Sequence, residues 1–148
     1  MLTEVLAQIY ERDIEQLRSE VEKYPSDESL WTPHEGISNS GGNLCLHLLG
    51  NLQHFFGAVL GSSGYVRDRD SEFANKNISR QKMIDEIDQA KSIVVKTLTS
   101  LSDEDLAKEY PVQVFGRPDS TEWMIVHLLA HFNYHLGQIN YHRRLVAK

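Results

Sequence analysis

Apolar residues recur at helical spacing in four segments of this chain. The segments run from about residue 2 to 23, 40 to 61, 79 to 100 and 121 to 144. In each of them the apolar side chains return every three or four positions, so that they share one face of a helix. The pattern therefore predicts an all-α protein built from four principal helices.

Capping and turn residues mark the ends of these helices. The first helix stops before Pro25, and Ser40 or Ser38 is placed to cap the second. The fourth helix begins at Ser120 or Thr121. These signals agree with the boundaries that the apolar repeat gives.

The connecting segments carry no such repeat. We expect loops over about 25–40 and 65–77, a short turn where Ser102 and Asp105 form a capping pair, and a short extended segment over 109–118. Four antiparallel helices with modest connections make an up-and-down four-helix bundle. Such bundles commonly hold metal ions between facing helices.

The size and charge of the chain fit one acidic domain. Its 148 residues are enough to bury about two thirds of the surface of the unfolded chain, so we expect a single domain over residues 1–148. The net charge is -6, whereas nucleic-acid-binding proteins usually carry a basic surface. We therefore expect no nucleic-acid partner.

Cysteine usage and hydropathy bear on the compartment. The single cysteine, Cys45, precludes an internal disulfide, which suits a reducing cytoplasm, and its place on the apolar arc favours a buried thiol over a catalytic nucleophile. The acidic N-terminal segment lacks the features of a signal peptide. No apolar stretch reaches the roughly 18 residues of a membrane span. We expect a cytoplasmic protein that is not embedded in a membrane.

The strongest chemical signal is a pair of histidines in the fourth helix. His131 and His135 are four residues apart, which sets their imidazoles on one face, about 6 Å apart along the axis. Neutral imidazole is a common ligand for zinc, nickel, copper and iron. A single histidine beside a core face is more often a hydrogen-bonded core residue. The spacing of this pair instead favours a metal site, whose third ligand must come from elsewhere.

The second helix offers the best third ligand. His47, Asn51 and His54 lie together at the edge of its apolar arc. Seven residues of helix separate His47 from His54 by roughly 10.5 Å, too far for both to bind one ion through bonds of about 2.1 Å. One of the two should be the ligand, and position alone favours neither. His127 and His142, on the stripe of the fourth helix, are interpreted as groups around the site or at the surface.

Other polar residues on the two stripes could orient an imidazole or bind a substrate. They are Asn51, His54, Tyr134 and Gln138. For Asn51 and Gln138 the alternative is a hydrogen bond between packed helices. No carboxylate lies on either stripe, so the sequence indicates no general base and no catalytic residue.

Two motifs resemble a known family. The segments LCLHLLGNL (44–52) and HLLAHFNYHLGQI (127–139) are similar to the signature of the DinB/YfiT-like superfamily, a group of proposed metalloenzymes built as up-and-down four-helix bundles. The resemblance extends over nearly the whole chain and includes the Trp-x-Pro segment that begins at Trp31. It implies the same fold here.

The resemblance also implies a metal triad of His47, His131 and His135, which match the family's ligand positions in order. The family pattern has no ligand at His54, so it decides between the two histidines of the second helix. It further implies a homodimer. The divalent ion could be zinc, nickel, manganese or iron, because three imidazoles do not select among them.

The stretch GYVRDRDSEF (64–73) resembles the marker of an uncharacterised bacterial subgroup. Its Arg67 and Arg69 could clamp the carboxylates of a peptide-like thiol through bidentate hydrogen bonds. The alternative is that they pair with acidic neighbours, Asp68, Asp70 or Glu72, and fix the loop.

Three neutral ligands would leave a divalent ion with its full charge and an open position. Such an ion lowers the pKa of bound water or stabilises a thiolate. Because some relatives in the superfamily are thiol-dependent transferases that use bacillithiol, mycothiol or glutathione, the resemblance implies a metal-dependent S-transferase with a small-molecule substrate and a low-molecular-weight thiol as cosubstrate. The alternatives are a metal-dependent hydrolase and a non-catalytic metal- or ligand-binding module.

Overall fold

A computed structural model describes residues 1–147 as a bundle of four long helices with two short α-helices in its connections. The α-helices are α1 Leu2–Glu22, α2 Gly41–Leu52, α3 Arg69–Ala74, α4 Arg80–Ser100, α5 Asp103–Ala107 and α6 Thr121–Val146. A 3-10 helix, Glu28–Trp31, precedes α2, and a π-helix, Gln53–Leu60, continues it. The four long helices match the four predicted segments, so the all-α four-helix bundle is confirmed.

Serine side chains cap three of the four long helices. Ser40, Ser79 and Ser120 precede α2, α4 and α6, and the side chain of each accepts a hydrogen bond from the backbone N–H three residues later. These bonds satisfy donors that the first turn of a helix leaves free. The predicted pair Ser102 and Asp105 forms a capping box at the start of α5. The caps expected at positions 40, 102 and 120 are confirmed.

The connections hold more structure than the sequence indicates. Segment 65–77, predicted as a loop, contains α3, which Asp68 caps by accepting a hydrogen bond from the Ser71 N–H. The loop prediction is wrong for these six residues. The short helix depends on its cap and on packing against α2, and neither can be recognised from a repeat of apolar residues. Segment 109–118, expected to be extended, consists mostly of bends and is closed at its base by an antiparallel bridge between Glu109 and Ser120.

Ion pairs between α1 and α4 fix their relative direction. Glu15 accepts a hydrogen bond from Lys91, and Arg18 Nε donates to Asp88 at 3.0 Å. Residue numbers rise along α1 as they fall along α4, so the two helices run antiparallel.

Contacts of α6 fix the other directions. The Tyr10 hydroxyl donates to the Ile125 carbonyl and the Tyr24 hydroxyl contacts His142, so α1 and α6 run parallel. The Gly41 N–H contacts His142, whereas His47 contacts the earlier His131, so α2 and α6 run antiparallel. In chain order, α1, α2, α4 and α6 therefore run up, down, down and up. The direction does not alternate at every step, because α2 and α4 point the same way. Because α2 and α4 are parallel, residues 61–79 must return along the length of the bundle.

Apolar side chains from all four long helices fill the space between them. Tyr10 is fully buried, its ring lies edge-on to Phe56 at 5.1 Å, and its hydroxyl bonds the Ile125 carbonyl at 2.6 Å. The predicted burial of the Cys45 thiol is confirmed, and burial raises its pKa. Within residues 1–147, no helix combines the length and the apolar character of a bilayer span.

The π-helix widens the second half of the second predicted helix. Its backbone bonds follow an i to i+5 pattern, and the Tyr110 hydroxyl bonds the Phe55 carbonyl at 2.7 Å. The wider turns change the angular position of each side chain after Gln53. The regular polar stripe that starts at His47 therefore does not extend through this π-helix, which includes His54.

Candidate metal centre

Three histidines from two helices meet at one edge of the core. His47 lies on α2, and His131 and His135 lie one turn apart on α6. One ring nitrogen from each lies within 4.8 Å of the other two. The ring centroid of His47 is 5.1 Å from those of His131 and His135, and the last two are 4.6 Å apart. The antiparallel packing of α2 on α6 thus brings together the residues that the sequence singled out.

The shortest contact in this cluster joins the Nε2 atoms of His47 and His131, which lie 3.2 Å apart. His47 is buried and His131 is partly buried. Two imidazole nitrogens that face each other this closely either share a hydrogen or direct their lone pairs at a common cation. The protonation of each ring therefore decides what the cluster can bind.

His47 is oriented by a carboxylate. Its Nδ1 lies 3.0 Å from Glu72 Oε1, and both side chains are buried. A carboxylate accepts hydrogen bonds, so Nδ1 carries the hydrogen and Nε2 presents its lone pair towards His131. Arg67 Nη2 also lies 3.3 Å from Nδ1, but two donors do not bond each other, and Arg67 donates instead to Glu72. A carboxylate on the far nitrogen is the usual partner of a metal-binding histidine.

Arg67 holds Glu72 in place and ionised. Its Nε and Nη2 donate to the two carboxylate oxygens at 2.8 and 2.9 Å. Burial acts to raise the pKa of Glu72, but the hydrogen bonds from His47 and Arg67, with the charge of Arg67, outweigh burial and lower the pKa. Glu72 is therefore a carboxylate at neutral pH, with both oxygens bonded.

Close packing of α3 on α2 places Glu72 at this point. The Asn43 amide of α2 donates to the backbone carbonyls of Glu72 and Asn75 at 3.0 and 2.8 Å. Gly50 lies against the Glu72 carboxylate, and a methyl group at residue 50 would overlap it. The returning segment thus delivers a carboxylate to His47 that neither polar stripe contains.

His131 is neutral at physiological pH. Burial lowers its pKa to about 4, helped by the charges of His135 and His47. Its Nδ1 is buried and has no hydrogen-bond partner within residues 1–147, so its polar contact is made by Nε2. The neutral ring can therefore offer a lone pair at the centre of the cluster.

His135 is also held in one tautomer. Its Nδ1 lies 2.7 Å from Gln138 Oε1, an acceptor, so Nδ1 carries the hydrogen and Nε2 is free. Burial lowers the pKa of His135, although the hydrogen bond that His135 donates to Gln138 opposes this. The exposed ring of Tyr134 stands edge-on to His135 at 5.3 Å.

This donor set suits a divalent cation. Two nitrogen ligands of a tetrahedral ion, each bonded at about 2.1 Å, lie about 3.4 Å apart, close to the 3.2 Å between the Nε2 atoms of His47 and His131. His131 is neutral, and hydrogen bonds orient His47 and His135. Within residues 1–147 it is the one group of three His, Cys, Asp or Glu side chains with such close ligand atoms. Zinc, nickel, manganese and iron all accept imidazole, so the cluster does not select one.

The remaining predicted residues lie around or away from the cluster. His54 is partly buried, its ring stands edge-on to Phe55, and it is not one of the three clustered histidines. Asn51 is buried one turn beyond His47. Arg69 begins α3 and is exposed. Arg67 pairs with Glu72, which agrees with the alternative that this arginine bonds an acidic neighbour and fixes the loop.

Sequence reasoning missed two features, Glu72 and the role of His142. Glu72 stands in the stretch GYVRDRDSEF, where the sequence indicates only a pairing with arginine. His142 is buried: its Nδ1 accepts from the Gly41 N–H at 3.1 Å and contacts the Tyr24 hydroxyl at 2.7 Å, and its Nε2 donates to the Thr32 carbonyl at 2.8 Å. His142 therefore joins α6 to the start of α2 and is not a surface group.

His127 lies in an aromatic group outside the cluster. Its ring stacks on Trp123 at 5.1 Å and meets Phe115 edge-on at 5.0 Å. The guanidinium of Arg117 lies 5.2 Å from the Trp123 ring. These contacts give His127 a packing role at the first turns of α6.

Comparisons with known proteins agree with this fold. A match to the family described as "Protein of unknown function (DUF1572)" spans residues 3–148. Crystal structures of DinB-like proteins from Bacillus cereus ATCC 10987 and Bacillus subtilis superpose with TM-scores of 0.73 and 0.71, each at 19% identity and covering 97% of this chain and 92% of theirs. At that identity the likeness concerns the fold alone. No curated protein matches the sequence. The chain therefore belongs to the DUF1572 family and has the fold of the DinB-like proteins.

Proposed function

We propose that this protein is a divalent-metal-dependent enzyme whose ion is held by His47, His131 and His135. The observation that carries the proposal is the approach of the His47 and His131 Nε2 atoms to 3.2 Å, with His135 completing the cluster. Structural metal sites normally use four protein ligands, whereas three leave a position for substrate. When bound, the ion would supply a Lewis acid that lowers the pKa of a thiol or water.

The protein's own residues hold the ligands in their binding form. Glu72 keeps the hydrogen of His47 on Nδ1, and Gln138 does the same for His135. Arg67 keeps Glu72 charged and fixed. Such partners set ring orientation and raise the basicity of the ligating nitrogen.

We propose a thiol-dependent S-transferase as the reaction class. Within residues 1–147, the carboxylate that contacts the cluster is Glu72, and both of its oxygens are already bonded, so it is no free general base. A thiol ionises near pH 8.5, whereas water ionises only near 15.7. The ion would have to lower the pKa of a thiol by far less than that of water, which favours a thiol at a site without a free base.

Arg67 does not serve as a clamp for the thiol in this proposal, because Glu72 occupies its guanidinium. Arg69 is exposed on α3 and remains available. The proposed protein is a cytoplasmic homodimer acting on a small molecule. The dimer rests on the resemblance to the DinB/YfiT-like superfamily, and the compartment on the single cysteine.

Elemental analysis followed by a reaction panel tests the proposal. The protein is purified without an affinity-metal column, alongside His135→Ala and the control His54→Ala. We expect one divalent ion per chain in the wild type and in His54→Ala, and little in His135→Ala. Metal-loaded protein is then given glutathione, bacillithiol or mycothiol with chlorodinitrobenzene, and separately a nitrophenyl ester without thiol.

Each outcome has a defined meaning. Metal-dependent loss of thiol that His135→Ala abolishes supports the transferase. Ester hydrolysis without thiol overturns it in favour of the hydrolase, and bound metal without any turnover favours a binding module. Wild-type protein that holds no metal after incubation with zinc or nickel rejects the metal site itself.

A further inference from the structure

A cleft of about 470 Å³ opens beside the histidine cluster. Segment 36–39 forms one wall, and Tyr134, His135, Gln138 and Tyr141 of α6 form the other. This volume lies within the range of small-molecule sites. Because the ring of His135 belongs to both the cleft and the cluster, a molecule in the cleft lies next to the proposed metal position.

Both walls are formed by ordered backbone. Segment 36–39 turns at Gly36, whose φ of +80° glycine accommodates, and the Ile37 N–H bonds the His34 carbonyl at 3.1 Å. It leads directly into the Ser40 cap of α2. The α6 wall is regular helix, on which residues 134, 138 and 141 share one face. The cleft is therefore largely formed before any ligand arrives.

The lining is partly aromatic, and apart from His135 it carries no acidic or basic side chain. Besides His135, its side chains are neutral: Ile37, Ser38, Asn39, Leu44, Tyr134, Gln138 and Tyr141. Tyr134 and Tyr141 are 68% and 66% exposed, so their rings can cover a ligand without first leaving the core. Without a metal ion beside it, the cleft offers a charged ligand group no ionic partner in exchange for lost water, which is unfavourable.

One polar group in the cleft has donors to spare. Gln138 uses Oε1 to accept from His135 Nδ1, which directs the side chain and leaves its NH2 group for a second partner. A carbonyl oxygen is the natural acceptor for such a donor. The lining thus combines the flat rings of the two tyrosines with a hydrogen-bond donor, the Gln138 NH2 group, beside the proposed metal position.

We propose that this cleft binds an uncharged, flat organic molecule that carries a carbonyl group, and that this is the electrophilic substrate of the enzyme. Its role as the electrophile rests on the proposed function, whereas its binding does not.

Titrations of metal-free protein with benzamide and benzoate test the inference, because the two probes share a ring and differ in charge. Binding is followed by amide NMR shifts in the presence of a chelator. For so small a ligand we expect a Kd on the order of 1 mM for benzamide. The shifts should lie in residues 36–39 and in the Gln138 side-chain amide, and benzoate should bind at least about tenfold more weakly.

Exposed tyrosines supply matched variants. Tyr134→Ala and Tyr141→Ala should each weaken benzamide several-fold, whereas Tyr65→Ala, an exposed tyrosine outside the cleft, should leave it unchanged. Benzoate binding equal to benzamide, shifts located elsewhere, unchanged affinity in both cleft variants, or no saturable shift at all would each overturn the inference. Because no metal is used, failure here leaves the proposed metal site intact, and failure of metal binding leaves this test intact.

Discussion

The Nε2 atoms of His47 and His131 lie 3.2 Å apart, although 84 residues separate the two histidines in the chain. Their meeting depends on the antiparallel packing of α2 on α6. The pair points its nitrogens at a shared position because Glu72 holds the far side of His47 and burial keeps His131 neutral.

Metal binding should stabilise the folded protein. Zinc or nickel at a concentration 100 times its Kd should raise the free energy of unfolding by about 2.7 kcal/mol, because the ion binds only the folded cluster. His131→Ala should lose this gain, since it removes one of three ligands, and His54→Ala should retain it. Urea unfolding with and without the metal measures the effect. Equal stabilisation of wild type and His131→Ala would contradict the triad.

Glu72 should control metal affinity through its charge. Glu72→Gln keeps the size of the side chain and can still accept from His47, but it removes the negative charge that polarises the ring. We expect the affinity for zinc to fall about 10- to 100-fold. Competition with a chelator measures this, with Glu86→Gln as a control, because Glu86 lies on α4 and His47 bonds to Glu72 instead. An unchanged affinity in Glu72→Gln would show that the carboxylate only packs against His47.

The four long helices and most of their caps follow from the sequence because they depend on local information. The apolar repeat sets the length of each helix, and Ser40 and Ser120 supply side-chain oxygens at the first turn. The directions of the helices do not follow in the same way. The helices α2 and α4 can be parallel because the connection 61–79 is long enough to return along the bundle. No local sequence pattern predicts that this connection returns.

The return of the connection 61–79 also explains which residues of the site can be predicted from the sequence and which cannot. The i, i+4 spacing of His131 and His135 is a local signal, and the resemblance added His47. Glu72 reaches His47 only because the connection returns along α2, which is a tertiary relationship. The sequence does not indicate the role of His142 for a similar reason, since its partners Gly41, Tyr24 and Thr32 lie more than 100 residues away.

Gly50 should be required for the place of Glu72, whereas Gly137 should be replaceable. Gly50→Ala puts a methyl group into the Glu72 carboxylate, so the carboxylate must move away from His47 or Arg67. We expect a loss of about 1–3 kcal/mol in stability, together with weaker metal binding. Gly137→Ala meets no atom within 4 Å and should stabilise α6 by about 0.5–1 kcal/mol. Urea unfolding measures the stability of both variants. Equal effects of the two substitutions would contradict the close packing of Gly50 against Glu72.

Protonation of His142 should destabilise the fold in mild acid. Burial lowers the pKa of His142 more than the bond to the Thr32 carbonyl raises it. The unfolded ring titrates near pH 6.5. Below that pH, and down to the lower pKa of the folded protein, only the unfolded chain binds the proton, so stability falls as pH falls. A charged ring would also direct an Nδ1 hydrogen at the Gly41 N–H, which now donates to it.

His142→Gln removes this titration. At pH 8, urea unfolding with a chelator present should show the variant to be less stable than wild type by about 1–3 kcal/mol, because buried partners lose their bonds. At pH 5.5 the difference should be smaller, since only the wild type has lost stability through this ring. Tyr24→Phe keeps the imidazole buried and should keep the wild-type direction of the pH dependence. A difference between wild type and His142→Gln that widens in acid would mean that His142 is charged in the folded protein, contrary to its hydrogen bonds with Gly41 and Thr32.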